Sequence, residues 1–140
     1  MIRFRIVVSV IGLIVQSFAA VMIIPLISAI IAGQTDSAAA FVLCMLTGIL
    51  LGRFAWRSSH ATNFDDLNRM EGMAAVSLSW LSVALMGAIP YMCFGIGFTD
   101  SLFESMSGFT TTGATILSDF SILNSSMFFY RGYTQWLGGM

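Results

Sequence analysis

Thr110, Thr111, Thr112 and Gly113 stand in a row with Ala114 and Thr115 flanking them, and in this TTTGAT segment residue type and spacing could do chemistry. That chemistry is coordination of a dehydrated monovalent cation. Backbone carbonyl oxygens aimed at one axis replace an ion's water shell, as in the carbonyl rings of potassium channels. Gly113 permits backbone angles that a Cβ opposes, and the threonine hydroxyls can brace the loop or extend the oxygen ladder. An isolated T-T-T-G is a weak signal, because a Thr/Gly turn in any membrane protein produces it. The elements on either side must decide.

Those elements are apolar. The 140 residues are 57% hydrophobic and 9% charged, against roughly 25% charged in ordinary soluble domains. No charged side chain occurs from Ile6 to Thr35 or from Gly72 to Thr99, and each run exceeds the roughly 20 residues needed to cross a bilayer. A third apolar run lies between Ser37 and Gly52. The opening imitates a signal peptide, with Arg3 and Arg5 ahead of an apolar run, but the run continues past Pro25 to Ala32 and reads as a retained helix. The net charge is −1, which excludes the basic footprint of a nucleic-acid binder. Cys44 and Cys93 both sit in apolar runs and read as free packing thiols.

The expected fold is therefore all-α and integral to the membrane. Residues 1–57 form a two-helix hairpin, with spans at about 6–32 and 38–56 joined by a polar turn around Gly33 and Asp36. Residues 58–71 form a polar loop carrying His60, Asp65, Asp66 and Arg69. Residues 72–140 form one membrane helix, pore loop, membrane helix repeat of the potassium-channel kind: a span at 72–94, a pore helix at 99–108, a filter at 110–115 and the start of another span at 127–140. The chain stops inside that last helix, which suggests a fragment of something longer. Arg3 and Arg5 precede the first span, and Arg53, Arg57 and Arg69 lie between the second and third. By the positive-inside rule both places, and the N-terminus, are cytoplasmic.

Residues 98–108 make a helix of roughly 16 Å, about half the hydrocarbon thickness, so it must turn back midway. Ser101-x-x-Glu104 has the form of a capping box, and Thr99 or Asp100 could also cap it. Its C-terminal end carries the negative end of the helix dipole toward the membrane centre, which favours a cation there. Asp36, Asp100, Glu104 and Asp119 all fall on the outer side, where they could concentrate cations at the mouth. Arg131 either pairs with Glu104 and supports the pore helix or snorkels to the interface beside Tyr130, Tyr133 and Trp136.

The segment FESMSGFTTTGAT followed by FFYRGYTQWLGGM closely resembles the first pore repeat of bacterial Trk-type potassium uptake proteins, in the TrkH/TrkG branch of the Trk/Ktr/HKT superfamily. The two preceding spans resemble that branch's N-terminal hairpin. The resemblance implies potassium uptake across the bacterial inner membrane, with potassium as substrate, no cofactor, and a symport mode whose coupling ion is open. It also implies three further pore repeats in the full-length protein, a homodimer and a cytoplasmic nucleotide-binding regulatory subunit. Carried to this chain, the filter residues are Thr110, Thr111, Thr112 and Gly113, flanked by Ala114 and Thr115.

Two other classes compete. A membrane enzyme would use the polar 57–71 segment, but the Asp65–Asp66 pair has no nucleophile, base or phosphate-binding glycine loop beside it. His60 has no second His or Cys at ligand spacing. A non-conducting assembly subunit is the remaining alternative. Gly48-x-x-x-Gly52 is a close helix contact within a protomer or between protomers.

Overall fold

The computed structural model describes residues 4–59, 68–118 and 121–140. Arg3, His60, Asp65, Asp66 and Asp119, named above as candidates, lie outside the described residues. Six helices follow in order: α1 (Phe4–Val21), α2 (Ile23–Ile31), α3 (Thr35–Ser59), α4 (Arg69–Cys93), α5 (Phe98–Phe109) and α6 (Ser125–Gly139). Three stretches are long and apolar enough to cross a membrane: Phe4–Ile31, Thr35–Ser58 and Arg69–Cys93.

The first stretch is not one continuous helix. It breaks at Met22, between α1 and α2. Pro25 lacks the N–H that would bond the carbonyl four residues back, at Val21, and its ring crowds that carbonyl. The released Val21 oxygen is taken instead by the Tyr133 hydroxyl at 3.2 Å. Pro90, late in α4, releases the Met86 carbonyl in the same way. There the donor is the buried Cys44 thiol, 3.3 Å away. Each irregularity in a spanning helix is thus satisfied by a neighbouring helix, as an apolar surrounding requires.

The α2–α3 turn is a Schellman ending. Gly33 takes φ 65°, its N–H bonds Ile30 O at 3.1 Å, and the Gln34 N–H bonds Ala29 O at 2.9 Å. The chain then doubles back, and α3 packs along α1 and α2. Gly48 and Gly52 face α1 within the chain, because a Cβ on Gly52 would stand 2.7 Å from Gly12 O and one on Gly48 2.8 Å from the Ala19 methyl. α4 starts at Arg69, three residues ahead of the expected 72. Asn68 and Glu71 form a reciprocal capping box, with Asn68 Oδ1 accepting from the Arg69 N–H and Glu71 Oε2 from the Asn68 N–H. Gly95 (φ 80°) ends the α4 turn, and α5 begins at Phe98.

One apolar core joins all of this. Phe18 and Met22 from the first stretch, Phe41 from α3, Met86 and Tyr91 from α4, Phe109 from α5 and Tyr130 from α6 are buried together. Tyr130 lies at its centre, with ring centroids 5.3 Å from Phe41 and 5.6 Å from Tyr91. Within a membrane such rings stabilise by van der Waals packing and not by leaving water, and each tilted or edge-on ring pair contributes about 0.5–1.5 kcal/mol.

Candidate functional site

Helix α5 is 12 residues long, about 18 Å, and packs through its small residues. Ser105 Oγ donates to Ala84 O on α4 at 2.7 Å, and a Cβ on Gly87 would meet Ser105 and Phe109 at 2.6 Å. On the other side Gly108 lies against Thr134, and Gly138 of α6 against the Phe109 backbone. The expected capping box at Ser101 and Glu104 does not form. The helix begins earlier, with Gly97 at the cap and no side-chain cap bond, and Ser101 Oγ donates to Ile96 O. Thr99 and Asp100 lie inside the first turn.

Helix α5 ends in a second Schellman motif. The Thr111 N–H bonds Gly108 O and the Thr112 N–H bonds Ser107 O, both at 3.0 Å. The left-handed position of this motif, usually glycine, is Thr111 with φ 56°. A β-branched residue there costs on the order of 1–2 kcal/mol. Gly113 follows at φ 72°. Two positive-φ residues within three positions swing the chain out of the helix into the extended segment that carries the candidate filter.

Four of the six side chains brace that segment. Thr110 Oγ1 donates to Met106 O and shares a 2.8 Å hydrogen bond with Thr112 Oγ1. Thr111 Oγ1 donates to Thr110 O at 2.7 Å, and Thr115 Oγ1 donates to Glu104 at 2.6 Å. The carbonyls divide into two groups. Gly113 O and Ala114 O accept from the Arg131 guanidinium at 3.2 and 3.3 Å, and Ala114 O also accepts from Ser107 Oγ at 2.6 Å. Among the described residues no donor reaches the carbonyls of Thr111 and Thr112. Residues 110–116 are exposed along one side of the chain.

Behind the segment sits one buried ion pair. Glu104 is 1% exposed, with Oε2 3.1 Å from Arg131 Nε and Oε1 accepting from Thr115 Oγ1 and, at 2.8 Å, from the Ile116 N–H. Arg131 therefore pairs with Glu104 and does not snorkel. The same pairing removes Glu104 from the acids that could gather cations at the mouth, because its charge is neutralised inside the protein. Asp36 and Asp100 stand in the first turns of α3 and α5.

Gln34, Ser37, Asn124, Tyr133 and Cys44 were not singled out from the sequence as part of any site. For Cys44 and Tyr133 a signal existed, since each proline inside a helix announces a carbonyl in want of a donor. Among the described residues no group of three or more His, Cys, Asp or Glu side chains could hold a metal ion. A cation at this site would be held by neutral oxygens.

Long apolar helices, with the carbonyls that Pro25 and Pro90 release satisfied from neighbouring helices and one half-length helix leading into a loop with two free carbonyls, define an all-α membrane protein. Comparison with known proteins gives the family. The family model described as "TrkH: Cation transport protein" matches residues 36–140, and the chain belongs to this family. It is 34% identical to the Trk system potassium uptake protein TrkH of Escherichia coli strain K12, over 99% of this chain and 29% of that protein. It is 32% identical to the protein of the same name from Halomonas elongata, over 97% of this chain and 28% of that one. The crystal structure of the potassium transporter TrkH from Vibrio parahaemolyticus superposes with a TM-score of 0.89 at 28% identity, covering 99% of this chain and 30% of that one. The chain thus spans somewhat under a third of the relatives it matches. These are transport proteins, and the membrane-enzyme reading falls away.

Proposed function

We propose that this chain is the part of an inner-membrane potassium uptake permease that supplies one of four segments of a selectivity filter. The observation that carries the reading is the pair of donor-free carbonyls at Thr111 and Thr112. They are presented by two positive-φ residues and braced from behind by Arg131 and Glu104. In this reading α5 is a re-entrant pore helix, α4 and α6 are the flanking membrane helices, and 110–115 is the filter. Potassium sheds water at the outer mouth, exchanges it for carbonyl oxygens and passes inward, with no covalent step. The names of the curated relatives supply the choice of potassium.

The exposed side of residues 110–116 is the face that three further repeats would complete. Arginines 5, 53, 57 and 69 mark one end of the spanning helices and Asp36 and Asp100 the other, which supports a cytoplasmic N-terminus. A homodimer and a cytoplasmic nucleotide-binding subunit rest on the sequence resemblance alone.

The test is Gly113→Ser in the full-length protein reconstituted in liposomes. No atom would crowd a Cβ there, so the substitution acts through backbone conformation. The potassium-to-sodium flux ratio is expected to fall. An unchanged ratio with normal flux refutes the filter assignment, and loss of assembly with no selectivity change would favour a non-conducting subunit.

A further inference from the structure

Helix α6 carries Arg131 to the candidate filter, but its own position is fixed by the N-terminal hairpin at three levels. At its start, Gln34 Oε1 accepts from the Ser126 N–H at 3.0 Å and Gln34 Nε2 donates to Ser125 Oγ at 2.8 Å. Ser37 Oγ donates to Asn124 Oδ1 at 2.8 Å, and that same oxygen caps the Met127 N–H at 3.1 Å. The first N–H groups of a helix have no partner of their own. Here one is capped by the local Asn124 and another by a residue of the distant α2–α3 turn. Further along, Phe41 packs on Tyr130. Beyond that, Tyr133 reaches the Val21 carbonyl that Pro25 leaves free.

Arg131 sits between these two gripped tyrosines. At about 100° per residue it points roughly 100° away from Tyr130 and 160° away from Tyr133. One side of the helix is held by the hairpin, joined at Tyr130 by α4 through the Tyr130 hydroxyl on Gly87 O at 2.9 Å, and the opposite side holds Glu104 Oε2, Gly113 O and Ala114 O. The Gln34 bonds lie only about 7.5 Å along the axis from Arg131. The helix start and the guanidinium are thus less than two turns apart on one helix.

We propose that the N-terminal hairpin is a positioning element for the filter, with Gln34 as its key residue, acting through α6 and Arg131 on the Gly113 and Ala114 carbonyls. This rests on the filter reading of residues 110–115. The role is distinct from packing, because it predicts a change in ion discrimination when the polar clamp alone is cut.

The test uses the full-length protein in liposomes, with potassium and sodium fluxes measured separately. Gln34→Ala is expected to lower the potassium-to-sodium flux ratio, because the start of α6 is released and Arg131 no longer holds the Gly113 and Ala114 carbonyls in one place. Gln34→Glu is expected to restore it, because a carboxylate still accepts from the Ser126 N–H and the Ser125 hydroxyl can turn to donate. A native ratio in Gln34→Ala, alongside a lowered ratio in Gly113→Ser, overturns the proposal and leaves the hairpin as packing. An unchanged ratio in Gly113→Ser overturns the filter reading and this inference with it. If Gln34→Ala does not reach the membrane, Tyr133→Phe decides on the same criteria, since it removes only the hydroxyl that grips Val21 O.

Discussion

Replacing Glu104 by Gln keeps the side chain's shape and removes its charge, and the structure fixes what that costs. The carboxylate accepts from three donors: Thr115 Oγ1 at 2.6 Å, the Ile116 N–H at 2.8 Å and Arg131 Nε at 3.1 Å. An amide offers one oxygen. With its NH2 toward Arg131 it sets a donor against a cation; with its NH2 toward Thr115 the hydroxyl can turn to accept, but the Ile116 N–H loses its partner. The second arrangement costs less, and leaving one amide unsatisfied is worth about 1–3 kcal/mol. Breaking a fully buried ion pair costs about 3–5 kcal/mol, and the 19% exposure of the Arg131 side chain reduces that. Glu104→Gln is therefore expected to destabilise the protein by about 2–4 kcal/mol, between the two limits. The assay is loss of the monodisperse size-exclusion peak on heating detergent-solubilised full-length protein. Arg131→Met and the double variant complete the cycle, and the double variant should cost clearly less than the sum. Additive losses, or a Glu104→Gln protein as heat-stable as the parent, would refute the view that this pair anchors the segment.

Two further substitutions probe the packing that holds the segment in place. Gly138→Ala drives a methyl into the Phe109 backbone at the end of α5 and should cost about 1–3 kcal/mol, whereas Gly132→Ala on the same helix meets no atom and should be neutral or stabilising by up to about 1 kcal/mol. Equal thermal stability of the two variants would show that α6 does not press on α5 as described. Cys44→Ala removes the donor to the Met86 carbonyl that Pro90 leaves free, at a hydrogen-bond cost of about 1 kcal/mol. In a Pro90→Ala background the restored N–H takes that oxygen, so the penalty for Cys44→Ala should shrink; an identical penalty in both backgrounds would refute the pairing.

Much of the architecture is legible in the sequence because its causes are local or averaged over many residues. Long charge-free runs give the three spanning stretches whatever their neighbours are, and the short interval between Gly97 and Thr110 leaves room only for a half-length helix. What was not legible depends on which of two equivalent local patterns the tertiary structure uses. Asn68-x-x-Glu71 and Ser101-x-x-Glu104 both have capping-box form, yet only the first caps a helix. The chain leaves the Gly95 turn already able to start α5 at Phe98, so Ser101 falls inside the helix and Glu104 is free to face Arg131. Thr111 was hidden for a related reason. Its left-handed conformation contradicts its own preference, and only the surroundings enforce it.

Those surroundings show why such a conformation survives at this position. Thr111 would relax toward negative φ if the helix end were free, but the Thr111 and Thr112 N–H groups are tied to Gly108 O and Ser107 O. The Thr110 and Thr112 hydroxyls on either side of it bond one another, and further along Arg131 holds the Gly113 and Ala114 carbonyls. Each restraint is worth only about 0.5–1.5 kcal/mol, but together they oppose that rotation. The segment is therefore stiff where the carbonyls of Thr111 and Thr112 are left free. In the filter reading proposed above, that stiffness would hold the Thr111 and Thr112 oxygens at one spacing for an ion to meet. The strain at Thr111 and the buried pair at Glu104 are two parts of one arrangement, in which the cost of holding bare carbonyls apart is met by the packing of α4, α5 and α6.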